Sequence, residues 1–309
     1  MFTWTPVASK FSGGGAMRSG DEHYPRDIVG AARSLPGAGL LAWITGDQLH
    51  PPMISDADMW GDGTKWAAGA RRYVLDLGSA AELRANEHVL DIGSGVGGPA
   101  RVLVETFGVR VTAITNSRAH AETSERLNRL NGDYASKIRV KLISGTDDWP
   151  EGPYDVAWSV NMLYQVADHQ ELYGRVCDVL VSGGRFVLDD WMTTDHISES
   201  DLRVFEHHFQ YRNLIRLSRV EAELTSVGFY PAVSLIDRGL AARGPMRRHF
   251  RSTMVGHFLP MLAHEWPDGR EDGISGRRMA ADLIEAVEHT LQLYMEGKLT
   301  YRTLVCFKR

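Results

Sequence analysis

The chain has 309 residues, of which 43% are hydrophobic and 24% charged, with a formal net charge of −5. This length and composition indicate one full catalytic core with additions and exclude a disordered chain. The sequence contains no long block of Lys or Arg, so nothing in its charge pattern indicates a nucleic-acid partner. No stretch approaches the roughly 20 apolar residues of a membrane span. Two cysteines in apolar runs, Cys177 and Cys306, suit a reducing compartment, so we expect a cytoplasmic protein.

The first 80 residues predict a helical cover rather than a core. A polar Gly/Ser-rich segment (9–20) precedes an amphipathic pattern (26–35), a further apolar pattern (40–45) and a helix at 67–77. The apolar side of these helices suggests a homo-oligomer formed through them. We therefore divide the chain into a cover, 1–80, and a core, 81–309.

The core alternates strand and helix patterns, as a doubly wound parallel sheet requires. The predicted strands are 89–92, 109–114, 138–143, 154–160, 185–189, 229–236 and 301–308, and the predicted helices are 99–107, 118–130, 169–180 and 219–227. Two long insertions, 191–217 and 237–298, follow late strands. Ligands of such folds bind at the carboxyl ends of the strands, so we expect these insertions to hold a substrate.

The segment Val-Leu-Asp-Ile-Gly-Ser-Gly-Val-Gly-Gly at 89–98 ends an apolar strand on Asp91 and turns into a helix. Glycines at 93, 95 and 97 permit positive φ and a close approach of the backbone to a ligand. The spacing also suits a dinucleotide. A carboxylate at the strand tip, however, repels a pyrophosphate and attracts an ammonium or a sulfonium.

This motif resembles the first motif of class I S-adenosylmethionine-dependent methyltransferases. The motif order is similar to that of the small-molecule group, which includes sarcosine/dimethylglycine, tocopherol, sterol and prenyl C-methyltransferases. The resemblance implies a Rossmann-like α/β fold with a seven-stranded sheet, an antiparallel last strand and helical lid insertions. It implies S-adenosylmethionine as the cofactor, held by Trp60, Asp91, Gly93, Ser94, Gly95 and Gly97.

Further cofactor contacts are expected after the second, third and fourth strands. Thr115, Asn116 and Ser117 stand where the family grips the ribose, although Ser117 and His120 equally suit a cap of the next helix. In the segment 144–150, Thr146 or Asp147 is expected near the adenine, with Trp149. The loop after the fourth strand presents Asn161 to the cofactor, and Tyr164 and Gln165 to an acceptor.

Candidate acceptor groups lie in the insertions. His207 or His208 suits a general base, although such a pair is also typical of a solvated helix face. Arg247, in a cluster of arginines, suits an anionic group on the acceptor or a solvated basic face. The aromatic residues expected nearest the reacting methyl group or the acceptor are Trp60, Trp66, Tyr164, Trp191, Tyr211 and Phe258.

These features together predict methylation of a small hydrophobic natural product by S-adenosylmethionine, with C-methylation of a terpenoid or indole-terpenoid favoured. Tyr164, His207, His208 and Tyr211 are the candidate catalytic residues. The alternatives are O- or N-methylation with a His base, and a non-catalytic or cyclising protein on the same fold. The prediction includes no metal, no nucleic-acid partner and no membrane partner.

Overall fold

The computed structural model describes residues 48, 50, 53, 56–130, 134–143, 149–209, 213–230, 234–269 and 275–309, with the backbone alone at 205, 208, 209, 234, 235 and 265. The predicted elements at 9–20, 26–35 and 40–45 lie outside these residues. The predicted division at residue 80 stays a prediction.

One mixed sheet organises the described chain. Its order is β3-β2-β1-β4-β5-β8-β7, with β6 beside β5. The pairs that link β1 to β5 are parallel, whereas β8 runs antiparallel to both β5 and β7. The strands are β1 (His88–Ile92), β2 (Arg110–Thr115), β3 (Ile138–Leu142), β4 (Tyr154–Val160), β5 (Leu180–Thr193), β6 (Ile215–Arg216), β7 (Ser234–Asp237) and β8 (Leu299–Phe307). The predicted α/β doubly wound sheet is confirmed, including its antiparallel last strand.

Helices cover both faces of the sheet. They are α1 (Ala57–Gly61), α2 (Trp66–Ala80), α3 (Gly98–Phe107), α4 (Arg118–Leu130), α5 (Tyr134–Lys137), α6 (His169–Val179), α7 (Glu199–Phe209), α8 (Leu217–Ser226), α9 (Arg238–Thr253), α10 (Leu259–Glu265) and α11 (Gly276–Met295). Helices α9 and α10 are joined by a π-helical turn, Met254–Phe258. No helix in the described ranges is both long enough and apolar enough to cross a bilayer.

Alternation along the strands creates the two cores. In β1, Val89 belongs to one buried apolar cluster and Leu90 to the other; in β5, Val187 and Leu188 divide in the same way. Successive strand residues point to opposite faces, so both faces must be covered by helices. Because these strands are parallel, the carboxyl ends of β1, β4 and β5 lie at the same edge of the sheet.

Two predicted strands differ from the structure. The fifth, predicted as 185–189, extends over Leu180–Thr193, because Leu180 pairs with Tyr154 of β4 and β8 pairs with residues up to Thr193. For the sixth, predicted as 229–236, the described residues show a strand at Ser234–Asp237 and an isolated bridge from Phe229 to Lys308, and residues 231–233 lie outside them. Gly228, at φ 113°, ends the turn that follows α8 and leads into this bridge.

Candidate active site

The turn after β1, here the glycine turn (residues 93–97), is held against β2. The amides of Gly93 and Ser94 both donate to the Ile114 carbonyl at 3.0 Å, and the Gly97 amide donates to the Ser94 carbonyl at 2.9 Å. Gly93, Gly95 and Gly97 have φ of 76°, 54° and 81°. Residues other than glycine rarely adopt these backbone angles, so the turn requires its glycines. It then feeds directly into α3.

Close packing fixes the position of the glycine turn. A Cβ atom on Gly93 would lie 2.1 Å from Met162 Cγ, and one on Gly97 would lie 2.4 Å from Ser124 Oγ. The buried Arg101 side chain donates to the Val96 carbonyl at 2.9 Å and to Asn128 Oδ1 at 3.0 Å. The turn is therefore clamped between the loop after β4 and helix α4.

Asp91 is the penultimate residue of β1, beside this turn, and is only 3% exposed. Its Oδ2 atom is buried and has no hydrogen-bond partner in the described part of the chain. Desolvation raises the pKa of Asp91 from 3.8 to about 7. The buried Ser94 hydroxyl, in the same turn, also has no partner among the described residues. A cationic ligand with hydrogen-bond donors would satisfy this carboxylate and lower its pKa.

Three predicted contacts follow β2. Thr115 is buried, and its hydroxyl accepts a bond from the Ser117 amide at 3.3 Å. The Ser117 hydroxyl accepts from the His120 amide at 3.3 Å, which is the capping arrangement expected as the alternative. Asn116 is exposed at the strand end. Among these three, Asn116 therefore leaves its side chain most accessible to a ligand.

Of the three contacts predicted after β3, the structure describes only one. Thr146 and Asp147 lie outside the described residues. Trp149 lines an open cavity of about 930 Å³ together with His88, Arg110 and Ile138, the first residues of β1, β2 and β3. The same cavity follows β3 from Ile138 to Lys141, and the contact of Trp149 with the cofactor stays a prediction.

Two buried acids organise the loop after β4 (residues 161–165). Asp190 Oδ2 accepts from the Met162 and Leu163 amides at 2.9 and 2.7 Å. Asn161 adopts φ 50°, and its amide donates to the Asp189 carbonyl at 2.8 Å. Its Oδ1 accepts from Trp191 Nε1 at 2.9 Å. Since Met162 also contacts Gly93, this loop and the glycine turn form one continuous site.

Asp189 lies beneath this loop and is fully buried. The Tyr73 hydroxyl is 2.7 Å from both of its carboxylate oxygens, and the Thr303 hydroxyl donates to Oδ1 at 2.5 Å. Desolvation raises the pKa of Asp189 to about 6, against the opposing effect of these hydrogen bonds. Desolvation likewise raises the pKa of Asp190 to about 7.

Our sequence analysis missed Asp189 and Asp190. Their signal was present, because an acidic pair ends the apolar run of a predicted strand, the same pattern that singled out Asp91. Tyr73 gave no such signal, since it stands 116 residues from its partner Asp189.

The candidate acceptor residues fall into separate places. Tyr164 and Gln165 are half-buried in the loop after β4, with Gln165 Nε2 donating to Tyr164 Oη at 3.1 Å. His207 is exposed on α7, and Arg247 is exposed on α9. The side chains of His208 and Tyr211 lie outside the described residues.

The predicted aromatic residues form two buried groups. Trp66 packs against Trp60 and Phe258, with ring centroids 5.4 and 5.1 Å away, and its Nε1 donates to the Trp60 carbonyl. Trp191 instead packs against Tyr294 and Tyr301, at 5.8 and 5.2 Å. Through its bond to Asn161, Trp191 belongs to the site. Trp60, Trp66 and Phe258 pack together between α1, α2 and the π-helical turn.

The sheet order, the glycine turn and the buried Asp91 define a class I S-adenosylmethionine-dependent methyltransferase, and the predicted class is confirmed. The chain belongs to the mycolic acid cyclopropane synthetase family, whose model matches residues 67–230, more than half of the chain.

Individual relatives share the core region. The sarcosine/dimethylglycine N-methyltransferase of Halorhodospira halochloris is 28% identical over 158 residues, covering 50% of this chain and 54% of that protein. The sterol 24-C-methyltransferase of Eremothecium gossypii is 26% identical over 141 residues, covering 45% and 37%. The chain thus spans about half or less of the length of these two relatives.

A solved structure extends the likeness in fold. The geranyl diphosphate C-methyltransferase of Streptomyces coelicolor A3(2), solved with Mg²⁺, geranyl-S-thiolodiphosphate and S-adenosyl-L-homocysteine, has a TM-score of 0.69. The match covers 93% of this chain and 98% of that chain at 15% sequence identity. At this identity the likeness concerns the fold alone.

The residues present fit S-adenosylmethionine. This molecule carries a sulfonium and an ammonium, and the unpartnered Asp91 Oδ2 is a buried anion of opposite charge. The glycine turn leads to the N-terminus of α3, where backbone N–H groups lack intrahelical partners. Asp91 and the Ser94 hydroxyl, together with backbone amides at the N-terminus of α3, are therefore the groups that would hold the molecule.

Proposed function

We propose that this protein transfers a methyl group from S-adenosylmethionine to a small, hydrophobic acceptor. The observation that carries the proposal is the buried, unpartnered carboxylate of Asp91 beside the glycine turn. The cofactor supplies a methyl group on positively charged sulfur, an already activated leaving group. The protein's own task is to orient an acceptor in line with it and to exclude water.

The acceptor is best matched by a terpenoid or indole-terpenoid methylated at carbon. Supporting this, the Trp191 ring contacts the rings of both Tyr294 and Tyr301 next to the loop after β4. An alkene that gains a methyl cation becomes positively charged, and aromatic faces attract such charge. The named relatives include both C- and N-methyltransferases, so carbon as the methylated atom is part of our proposal.

The alternative is O- or N-methylation assisted by a histidine base. His207 is the described candidate, and it lies exposed on α7. An exposed imidazole is well placed for solvent contact, whereas a base must reach the acceptor proton within hydrogen-bond distance. This geometry favours carbon methylation over a mechanism that depends on His207.

The test is methyl transfer from isotopically labelled S-adenosylmethionine to a panel of prenyl alcohols, indole-terpenoids, sterols and sarcosine. We expect labelled carbon-methylated product from a terpenoid acceptor, and none with Asp91→Asn. His207→Ala should keep the wild-type rate, while a large loss that is confined to O- or N-acceptors would favour the alternative. Donor binding by calorimetry without any labelled product would favour the non-catalytic protein. Stabilisation by NAD but not by S-adenosylmethionine would refute the proposal.

A further inference from the structure

A cationic depression of about 500 Å³ lies where α9 passes the C-terminal end of α11. It is lined by Arg243, Gly244, Arg247, Arg248 and Met295. Arg243 and Arg247 are one turn apart and share one side of α9, and the Arg248 side chain borders the same depression. The Arg248 guanidinium lies beside Gly244, because a Cβ atom there would be in ordinary contact with Arg248 Nη1 at 3.5 Å.

These three arginines are not neutralised by the described residues around them. Arg243, Arg247 and Arg248 form no ion pair with any carboxylate in that part of the chain, whereas nearby Arg251 pairs with Glu288 and Arg302 with Asp237. The protein carries a net charge of −5, so a basic composition does not explain this concentration of positive charge. It attracts an anionic partner.

Exposed aliphatic side chains border the same arginines. Leu240, one turn before Gly244, is 59% exposed, and Met295 is 56% exposed. We call Leu240, Arg243, Arg247, Arg248 and Met295 the basic face. A small soluble anion would contact the guanidinium groups and leave the two aliphatic side chains in water. Arginines flanked by exposed aliphatic residues are typical of a surface that lies in the headgroup region of a bilayer.

We propose that the basic face binds the surface of a membrane that contains anionic phospholipids. The guanidinium groups would bind headgroup phosphates, and Leu240 and Met295 would enter the interface. The sequence analysis predicted no membrane partner because it found no apolar span, but a peripheral contact requires none. This inference does not depend on methyl transfer.

The test is flotation of the full chain with vesicles of phosphatidylcholine alone and of phosphatidylcholine with phosphatidylglycerol. We expect binding to the anionic vesicles only, weakening as salt rises. Each arginine near an anionic surface contributes to the attraction, so the triple variant Arg243→Gln/Arg247→Gln/Arg248→Gln should bind on the order of a hundredfold more weakly. The matched control Arg84→Gln/Arg216→Gln/Arg219→Gln removes three exposed charges elsewhere and should bind like wild type.

A second variant separates lipid from other anions. Leu240→Ser/Met295→Ser keeps every charge and should lower vesicle binding roughly tenfold, and its thermal midpoint should stay at the wild-type value because both side chains are exposed. Equal binding to neutral vesicles, or wild-type binding by the arginine triple variant, would overturn the proposal. Binding of labelled RNA, but not of vesicles, through the same arginines would overturn it as well.

Discussion

Gly93 and Gly183 have nearly the same backbone conformation in very different surroundings. Their φ angles are 76° and 72°, but a Cβ atom on Gly93 would meet Met162 at 2.1 Å, whereas one on Gly183 would have no atom within 4 Å. The two glycines therefore separate backbone strain, which they share, from steric exclusion, which acts at Gly93 alone. The excluded volume at Gly93 joins the glycine turn to the loop after β4.

We predict that Gly93→Ala weakens S-adenosylmethionine binding at least tenfold, because Met162 must move and carry its loop with it. Gly183→Ala shares the left-handed strain of about 1–2 kcal/mol and should keep wild-type affinity. Calorimetric titration measures the affinities, and denaturant unfolding measures the common strain. Equal affinities for the two variants would show that contact with Met162 does not shape the site.

At the scale of elements, Asp190 connects β5 to the loop after β4. Its two oxygens accept from the amides of Met162, Leu163 and Trp191. An asparagine amide has one acceptor oxygen, and its NH₂ group would face an N–H donor. The carboxylate thus holds the loop in a way that the amide does not reproduce.

Asp190→Asn should therefore loosen the loop, at a cost of roughly 1–3 kcal/mol for an unsatisfied buried group. We expect faster hydrogen exchange at the Met162 and Leu163 amides and a lower methylation rate, with S-adenosylmethionine affinity largely retained through Asp91. Asp178→Asn, an exposed charge removal on α6, is the control. Unchanged protection of the two amides in Asp190→Asn would contradict this role.

Most elements were predictable because their patterns are local. The apolar runs that form β1 and β4, and the caps and periodicity that bound α4, lie within a few residues of one another. The full length of β5 was not predictable, because Gly183 and Gly184 are typical of a turn and the acidic pair Asp189 and Asp190 is typical of a strand end. Pairing with β8, more than a hundred residues later, carries the strand past the acidic pair to Thr193. The Tyr73 to Asp189 bond depends on tertiary folding in the same way.

At the scale of the whole molecule, the doubly wound fold gathers buried carboxylates at one edge. Asp91 comes from β1, and Asp189 and Asp190 come from β5, two strands away. Burial raises the pKa of each, to about 7, 6 and 7. In the unfolded chain these groups titrate near 3.8, so between about pH 4 and 7 the folded protein binds more protons. Their contribution to stability is thus greatest at low pH and declines as pH rises through 7.

We predict that Asp91→Asn stabilises the ligand-free protein at pH 8 by roughly 2–4 kcal/mol, because a neutral amide avoids the cost of a desolvated charge. The gain should largely vanish near pH 4, where wild-type Asp91 is protonated in the folded protein and about half-protonated in the unfolded chain. With S-adenosylmethionine the order should reverse at pH 8, since the cation offsets the charge of wild-type Asp91 alone. Denaturant unfolding at pH 4 and 8, with and without the donor, measures both effects. A ligand-free variant less stable than wild type at pH 8 would mean that Asp91 already has a stabilising partner.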